Sequence, residues 1–570
     1  MNIWQEVIAT PLGPPLLLAL GGIVLASLGR WMRRPLYQRG TALFFVALAG
    51  LLQLYLRNQP VVPEFSRAWQ PLLQRGTNLL WIGDGWNWYV ASLILLLGSV
   101  GVLLHGQSQH SATPMQSAVS ARDLALHLAT TAAAILFVGS GNLLTVTLTW
   151  VLMDGLQLSR FNYVLNRPIH PERADDHKTV NRAQGLSLIG ALLLLIGLLP
   201  AGPGGPGQPL AEGSLPVETV GLMLTAAALR AGAYPFHLWL LPTSTVRMTL
   251  TERLLDHMVP ALCGLWLLGW AVNLGGSSIL LSPFSLVLVL LALMGAALAA
   301  WTATEQPGHT SFVLVASVGL AGLAGALSPL DGPNALIWPT TAFALGGGLW
   351  LVGEKVWQEW GWQIPVSVGA LALVGGPFTP GFLTQSSLAR LATLDSVILP
   401  LFVTYIVAQT MQVAALLRSW GAQPRESEPS LRSSTVVGLM GASLLLGLPL
   451  AIAGIYPQAI AALASMPGAI PGDVGTPATA VASLSVWITL AIPLLLGIGV
   501  SVLRPRFWRY LGRYPDYLSR FASLEWLTEG GRRLAMLASD QWSRIFSLFE
   551  GAGYVGWATI FIMTAYLLFR

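Results

Sequence analysis

Four ionisable residues lie within or beside hydrophobic stretches of this sequence. They are Asp154, Arg230, His257 and Glu305. A charge at bilayer depth is costly, so such residues usually pair with one another or line an ion path. We therefore expect Asp154, Arg230, His257 and Glu305 to form a buried ion pair or to belong to a proton path.

Two hydrophobic stretches are interrupted by proline, about 140 residues apart. The first reads AYPFHLW around Pro235, and the second reads GGPFTPGFLTQ around Pro377 and Pro380. Single kinks are common in membrane helices, but interruptions at matched places in two halves of a chain indicate repeats around an ion or substrate path. We predict a broken helix at each place and expect His237 to hydrogen-bond to the freed backbone groups.

The composition requires many membrane-spanning elements around these residues. Of the 570 residues, 54% are hydrophobic and 10% are charged, and the mean hydropathy is +0.64. Soluble proteins contain roughly a quarter charged residues, and a helix of about 20 apolar residues spans a bilayer. We predict an all-α, multi-pass integral protein of a bacterial inner membrane, a plasma membrane or an equivalent membrane.

The sequence contains about 16 apolar segments. Their centres lie near residues 20, 49, 95, 130, 150, 192, 227, 263, 290, 320, 344, 376, 408, 445, 492 and 561. If the N-terminus lies outside, the connecting segments that face the inner side of the membrane hold 24 of the 30 Lys and Arg residues. The positive-inside rule therefore predicts both termini on the outer face.

These segments suggest a division of the chain. We predict N-terminal transmembrane helices in 1–119, two inverted five-helix repeats in 120–273 and 274–420, further spans in 421–503 and a final span in 553–570. Residues 504–552 mix Arg with Trp, Phe, Tyr and Leu, as in an amphipathic helix at the membrane surface. A cytoplasmic connector is the alternative for 504–552.

The sequence excludes several kinds of functional site on this chain. The single cysteine, Cys263, rules out an internal disulfide and a cysteine-ligated iron–sulfur cluster held by this chain alone. No dinucleotide fingerprint or P-loop occurs, and the basic residues form no single patch for nucleic acid. We expect no catalytic residue, metal site or cofactor on this chain, and any redox cofactor on partner subunits.

Four motifs, in order along residues 80–420, resemble a known family. They are IGDGWNW from Ile82, SGNLLTVTLTWVLMDG from Ser140, LRAGAYPFHLWLLP from Leu229 and GGPFTPGFLTQ from Gly375. By these motifs the chain resembles the antiporter-like subunits of respiratory complex I (NADH:quinone oxidoreductase), a family shared with Mrp-type antiporters and membrane-bound hydrogenases. The third motif is the most specific.

The resemblance implies that buried Glu, Lys and His residues carry protons, and the first repeat changes most of them. Trp150 is followed by Val151 where the family has Glu, and the nearest acid is Asp154. Arg230 replaces a Lys, while His257 matches the family's His. Because a guanidinium stays protonated, Arg230 is expected to form a fixed pair with Asp154. Snorkelling of Arg230 towards water is the alternative.

The second repeat departs from the family in the same way. Gln385 replaces the Lys of the second broken helix, and Pro307 replaces another Lys while Glu305 keeps an acid. We assign Glu252 and Arg253 to a solvated helix end. For His257, the proton path and a hydrogen-bonded core position are both open.

The resemblance therefore implies a non-catalytic membrane-arm subunit of a complex I-like translocase, in contact with other membrane subunits and the bilayer. Because its charge positions hold Val151, Arg230 and Gln385, we expect its own proton or cation translocation to be reduced or lost, leaving a structural role. Two alternatives remain: an ion or inorganic-carbon transporter subunit with a soluble partner, and a pure scaffold.

Overall fold

The computed structural model describes most of the chain between residues 7 and 541. Outside the described residues lie 1–6, 30, 33, 70–77, 106–113, 166–175, 202–204, 212–213, 240–248, 281, 304–305, 395–398, 422–432, 465–483, 513, 525, 528–529, 532, 535, 538 and 542–570. The chain forms two compact units, Met1–Gly512 and Arg513–Arg570.

The first unit is a bundle of helices with one small hairpin. Its first half contains α1 (Gly13–Leu28), α2 (Pro35–Arg57), β1 (Glu64–Ala68), β2 (Asn78–Ile82), α3 (Gly85–Leu104), α4 (Pro114–Val138), α5 (Leu143–Leu165), α6 (Asp176–Gly197), α7 (Val217–Ala231), α8 (Leu250–Glu252) and α9 (Val259–Leu280). A π-helical segment, Arg253–Met258, joins α8 to α9.

The second half of the bundle is also helical. It contains α10 (Pro283–Thr302), α11 (Gln306–Leu327), α12 (Ile337–Thr341), α13 (Gly348–Trp360), α14 (Ile364–Val374), α15 (Pro380–Leu394), α16 (Leu399–Gly421), α17 (Ser433–Ile455), α18 (Pro457–Ala464) and α19 (Leu484–Leu511). A second π-helical segment, Ala342–Gly347, joins α12 to α13.

The predicted all-α membrane architecture is confirmed. Fourteen of the sixteen predicted segment centres lie in helices; residue 376 falls in a helix break, and residue 561 lies outside the described residues. Among the described residues, ten helices are long and apolar enough to cross a membrane, and three shorter apolar helices accompany them.

One predicted boundary, at residue 504, falls inside a helix, since α19 runs to Leu511. Within the second unit, α20 (Tyr514–Ser523) buries Pro515 and Ala522 and exposes Tyr517 and Phe521. The surface role of 504–552 and the other predicted boundaries stay predictions, and the predicted span at 553–570 lies outside the described residues.

The β1–β2 hairpin is an addition that hydropathy did not predict. It is antiparallel, with Phe65 opposite Trp81. The Leu80 amide donates to Thr145 Oγ1 at 2.9 Å. Asn142 Oδ1 accepts from the Thr145 amide at 2.9 Å and so caps the N-terminus of α5. The hairpin thereby helps to fix the start of the helix that carries Asp154.

Helix α9 packs against helices of both halves, since it contacts α7 in the first and α11 in the second. Its closest approach to α7 is at Gly264, where an added Cβ would lie 2.1 Å from the Ala231 nitrogen and 2.7 Å from the Arg230 carbonyl carbon. Only glycine permits this approach, because the obstructing atoms are backbone. Gly264 therefore sets the position of the end of α7.

We predict that Gly264→Ala lowers the free energy of unfolding by about 1–3 kcal/mol, the usual cost of overpacking a tight contact. Gly221→Ala on α7 is the matched control, since a Cβ there meets nothing within 4 Å. Thermal unfolding of the purified protein in detergent measures both. Equal melting temperatures for the two variants would contradict the packing argument.

Candidate functional site

The first broken helix ends one residue after Arg230. Helix α7 stops at Ala231, and Gly232 follows with φ +68° as its left-handed cap. The peptide bond between Tyr234 and Pro235 is cis, and a short 3₁₀ turn, Phe236–Trp239, follows. Arg230 thus lies in the last turn of α7, where the partial negative charge of the helix end favours a cation.

The structure brings Arg230 and Asp154 together in a buried ion pair. Arg230 Nη1 donates to Asp154 Oδ1 and also to Ser187 Oγ at 2.7 Å. Ser187 Oγ in turn donates to Asp154 Oδ2 at 2.7 Å. The Arg230 side chain is 3% exposed and that of Asp154 23%. Helices α5, α6 and α7 are therefore joined by one closed hydrogen-bonded triangle.

Aromatic rings cover the rest of the guanidinium. Arg230 Cζ lies 4.5 Å from the centroid of the Trp150 ring and 5.8 Å from that of Phe137. Trp150 is held by its indole N–H, which donates to the Ser187 carbonyl at 3.1 Å. Gly190 leaves room for this indole, because a Cβ there would lie 2.4 Å from it.

These contacts make Arg230 a fixed cation. A carboxylate, a helix C-terminus and two π faces all favour its positive charge, and guanidinium does not deprotonate under protein conditions. Val151, at the family's Glu position, is 57% exposed and does not share the interior with Arg230. The geometry is that of a closed ion pair.

A second buried ion pair joins α5 to the π-helical segment. Arg160 Nη1 contacts Asp256 Oδ1, and the two side chains are 3% and 4% exposed. Sequence reasoning missed Arg160, because positive-inside counting placed it in a loop, whereas α5 continues to Leu165. Helix α5 thus supplies the acid of one pair, Asp154, and the base of the other, Arg160.

The helix carrying Asp256 begins with a capping box. Thr249 accepts from the Glu252 amide, and the Glu252 side chain accepts from the Thr249 amide at 2.8 Å. Glu252 therefore belongs to the helix end, while Asp256 lies one turn further in and is buried. Arg253 interacts electrostatically with Glu354 of α13.

His257 lines a small cavity between the two halves, which we call the central cavity. Its other walls include Ala231, Met258, Ser311, Val318 and Phe343. Both π-helical segments reach it, one through His257 and one through Phe343, and π-helical turns are frequent at functional sites. Glu305 lies outside the described residues, so its place relative to this cavity stays a prediction.

The second broken helix has Gln385 at the position where the motif comparison has a lysine. Helix α14 ends at Val374, and Gly375 caps it with φ +85°. Pro380 begins α15, a favoured place for proline. Gln385 Nε2 donates to the Val374 carbonyl, and Gln409 Nε2 donates to the same oxygen at 2.8 Å. Two neutral amides thus satisfy the freed carbonyl.

Helix α16 extends this uncharged polar surface. Gln412 Nε2 donates to Ser317 Oγ of α11 at 3.2 Å. His309 Nε2 lies 2.8 Å from the Ala415 carbonyl oxygen. Tyr405, Gln409 and Gln412 are each at most 1% exposed. Sequence reasoning missed this group, because neutral amides in an apolar helix give no strong signal.

His237 follows the first break and is buried against aromatic rings. Its ring stacks on Tyr234 at 4.7 Å between centroids and lies 5.1 Å from Phe312. The predicted hydrogen bond from His237 to the backbone stays a prediction. Within the described part of the chain, no group of three or more His, Cys, Asp or Glu side chains is placed to share a metal ion.

No family model and no curated protein matches the sequence. Solved structures do match its fold. A chain of the Mrp complex from Dietzia sp. DQ12-45-1b superposes with a TM-score of 0.70 at 17% identity, covering 97% of this chain and 62% of that one. A chain of respiratory complex I from Thermus thermophilus with bound NADH gives a TM-score of 0.60 at 18% identity, covering 80% of this chain and 97% of that one.

This chain has the fold of Mrp and complex I subunits. The resemblance drawn from the motifs is thus confirmed at the level of the fold. The chain spans 62% of the length of the Dietzia chain. Arg230 and Gln385, which stand at lysine positions in the motif comparison, lie at the first and second helix breaks of this fold.

We predict that Asp154→Asn destabilises the protein by about 3 kcal/mol, because it leaves the Arg230 charge buried without its carboxylate. Asp154→Leu combined with Arg230→Met removes both charges, and its free energy of unfolding should lie within about 1 kcal/mol of wild type. Denaturant unfolding in detergent measures both variants.

The Lys355–Glu359 pair, 2.7 Å apart, provides the control, because its lysine is 46% exposed whereas Arg230 is buried. Lys355→Met there should cost at most about 1 kcal/mol. A double variant at Asp154 and Arg230 that is less stable than Asp154→Asn would contradict the ion-pair interpretation.

We also predict that Gln385→Leu and Gln409→Leu act non-additively. Each single variant leaves one amide donor on the Val374 carbonyl and should cost less than about 1 kcal/mol. The double variant leaves a buried carbonyl unpaired, so it should lose about 1–3 kcal/mol beyond the sum of the singles. Additive losses in the same unfolding assay would show that the two amides do not share this role.

Proposed function

We propose that this chain is a membrane subunit of a multisubunit, proton- or cation-translocating assembly of the complex I and Mrp class, and that its own translocation is reduced or lost. The observation that carries the proposal is the Arg230–Asp154–Ser187 triangle, which holds a permanent cation at a position where the motif comparison has lysine. A proton carrier at this place must be able to discharge, and Arg230 cannot do so.

The second half of the fold supports the same role. A lysine at the place of Gln385 would be a titratable group beside a helix end. Gln385 and Gln409 instead supply only neutral donors to the Val374 carbonyl. Both helix breaks are therefore present, but Arg230 and Gln385 stand where the motif comparison has lysines that could change charge.

The role that remains is to hold neighbouring subunits in place. The fold likeness to chains of two multisubunit complexes supports partners of the membrane-subunit kind. Any redox cofactor would belong to such partners. Positive-inside counting supports a multi-pass orientation with both termini outside.

The identity of the partners gives the first test. Full-length tagged protein is purified from its native membrane in mild detergent, and the chains that accompany it are identified by mass spectrometry. We expect other membrane subunits together with iron–sulfur redox subunits. A soluble carbonic-anhydrase-like partner in place of redox subunits would favour an inorganic-carbon uptake assembly.

The role of Arg230 gives the second test. We predict that Arg230→Ala lowers the amount of assembled complex several-fold, because loss of a buried pair lowers stability and abundance. Ion flux per assembled complex in membrane vesicles should change little. Arg67→Ala, at an exposed arginine of the hairpin, is the control and should change neither quantity. Normal assembly with lost flux would overturn the proposed structural role.

A further inference from the structure

Two arginines and two tryptophans meet where the ends of α10 and α16 pack near α19. We call this group, Arg418, Arg504, Trp301 and Trp508, the arginine cluster. Arg504 Cζ lies 4.6 Å from the centroid of the Trp508 ring. Trp508 meets Trp301 edge to face at 5.1 Å. Ala303 is the C-cap residue of α10. Arg418 Nη1 donates to its carbonyl.

Among the described residues, no acid forms an ion pair that would balance the positive charge of this cluster. Arg418 and Arg504 are close enough for their charges to repel. Among the described residues, the ion pairs join other side chains, and none includes Arg418 or Arg504. Like charges held together in a partly buried place favour the binding of an anion.

Hydrogen-bond donors in the cluster are also unused. Arg504 Nε and Trp301 Nε1 are buried and have no hydrogen-bond partner in the described part of the chain. Buried donors are normally satisfied, and each one left unpaired costs about 1–3 kcal/mol. A ligand with several acceptor oxygens, such as a phosphate group, would satisfy donors and charge together.

The surroundings of the cluster indicate where such a phosphate comes from. On the same helix as Arg504, Leu495, Val502 and Leu503 are 67%, 70% and 54% exposed, so an apolar surface adjoins the charged group. The positive-inside rule places Arg418 and Arg504 on the inner side of the membrane. That leaflet supplies anionic lipids, which basic groups between helices bind by their headgroups.

We infer that the arginine cluster binds the headgroup phosphate of an anionic phospholipid, with the acyl chains along the apolar face of α19. The phosphate oxygens accept from the guanidinium groups and the Trp301 indole. This site is separate from the Arg230–Asp154 ion pair at the first helix break. It does not depend on the proposed function.

The test uses the full-length protein purified in detergent and exchanged to remove native lipid. Phosphatidylglycerol and phosphatidylcholine are added as probes, and native mass spectrometry counts the lipid molecules retained. We expect preferential retention of phosphatidylglycerol, reduced roughly fivefold by Arg504→Gln. Arg509→Gln is the matched control on α19, since Arg509 lies outside the cluster and its Nε donates to the Pro505 carbonyl at 3.3 Å, and it should retain lipid like wild type.

Two further measurements keep the test decisive if Arg504→Gln impairs folding. Arg504→Lys keeps the charge and should retain intermediate amounts of phosphatidylglycerol, and melting temperatures verify that each variant is folded. Equal retention by Arg504→Gln and Arg509→Gln would overturn the site. Equal retention of phosphatidylcholine, or displacement of phosphatidylglycerol by the same concentration of inorganic phosphate, would overturn its assignment to an anionic lipid.

Discussion

The buried contact between Arg230 and Asp154 is the constraint around which the first half of this molecule is organised. A guanidinium in an apolar bundle destabilises the fold unless acceptors and negative charge surround it. Three helices contribute to meeting this requirement at Nη1 of Arg230: Asp154 comes from α5, Ser187 from α6, and the helix end of α7 adds its partial negative charge. Gly190 and Gly264 then let the helices approach closely enough for the contacts to form.

The same constraint connects structure to function. An ion carrier needs a group whose charge changes with only a small free-energy difference, and surrounding groups normally tune that difference. Arg230 instead lies between a carboxylate, a hydroxyl and two aromatic rings. The second break differs, because the side chains that bond to its free carbonyl, Gln385 and Gln409, are uncharged. Both halves therefore have a helix break of the Mrp and complex I subunit fold, with a cation in an ion pair at the first and neutral amides at the second.

Sequence reasoning predicted the helices well and the pairing of side chains unevenly. Spans follow from local composition, so the predicted segment centres lie in helices along most of the described chain. The Asp154–Arg230 contact could be predicted, because the two motifs that contain these residues place both at a similar depth in the membrane. Arg160 and Asp256 are 96 residues apart, and nothing local to either one identifies its partner. The π-helical segments likewise depend on packing and leave no periodic pattern in the sequence.

The carbonyl of Val374 has a consequence for water at the second helix break. A carbonyl oxygen has two lone pairs, and here the Gln385 and Gln409 amides each donate to that oxygen. Water entering this break would therefore have to compete with two side-chain amides for that oxygen.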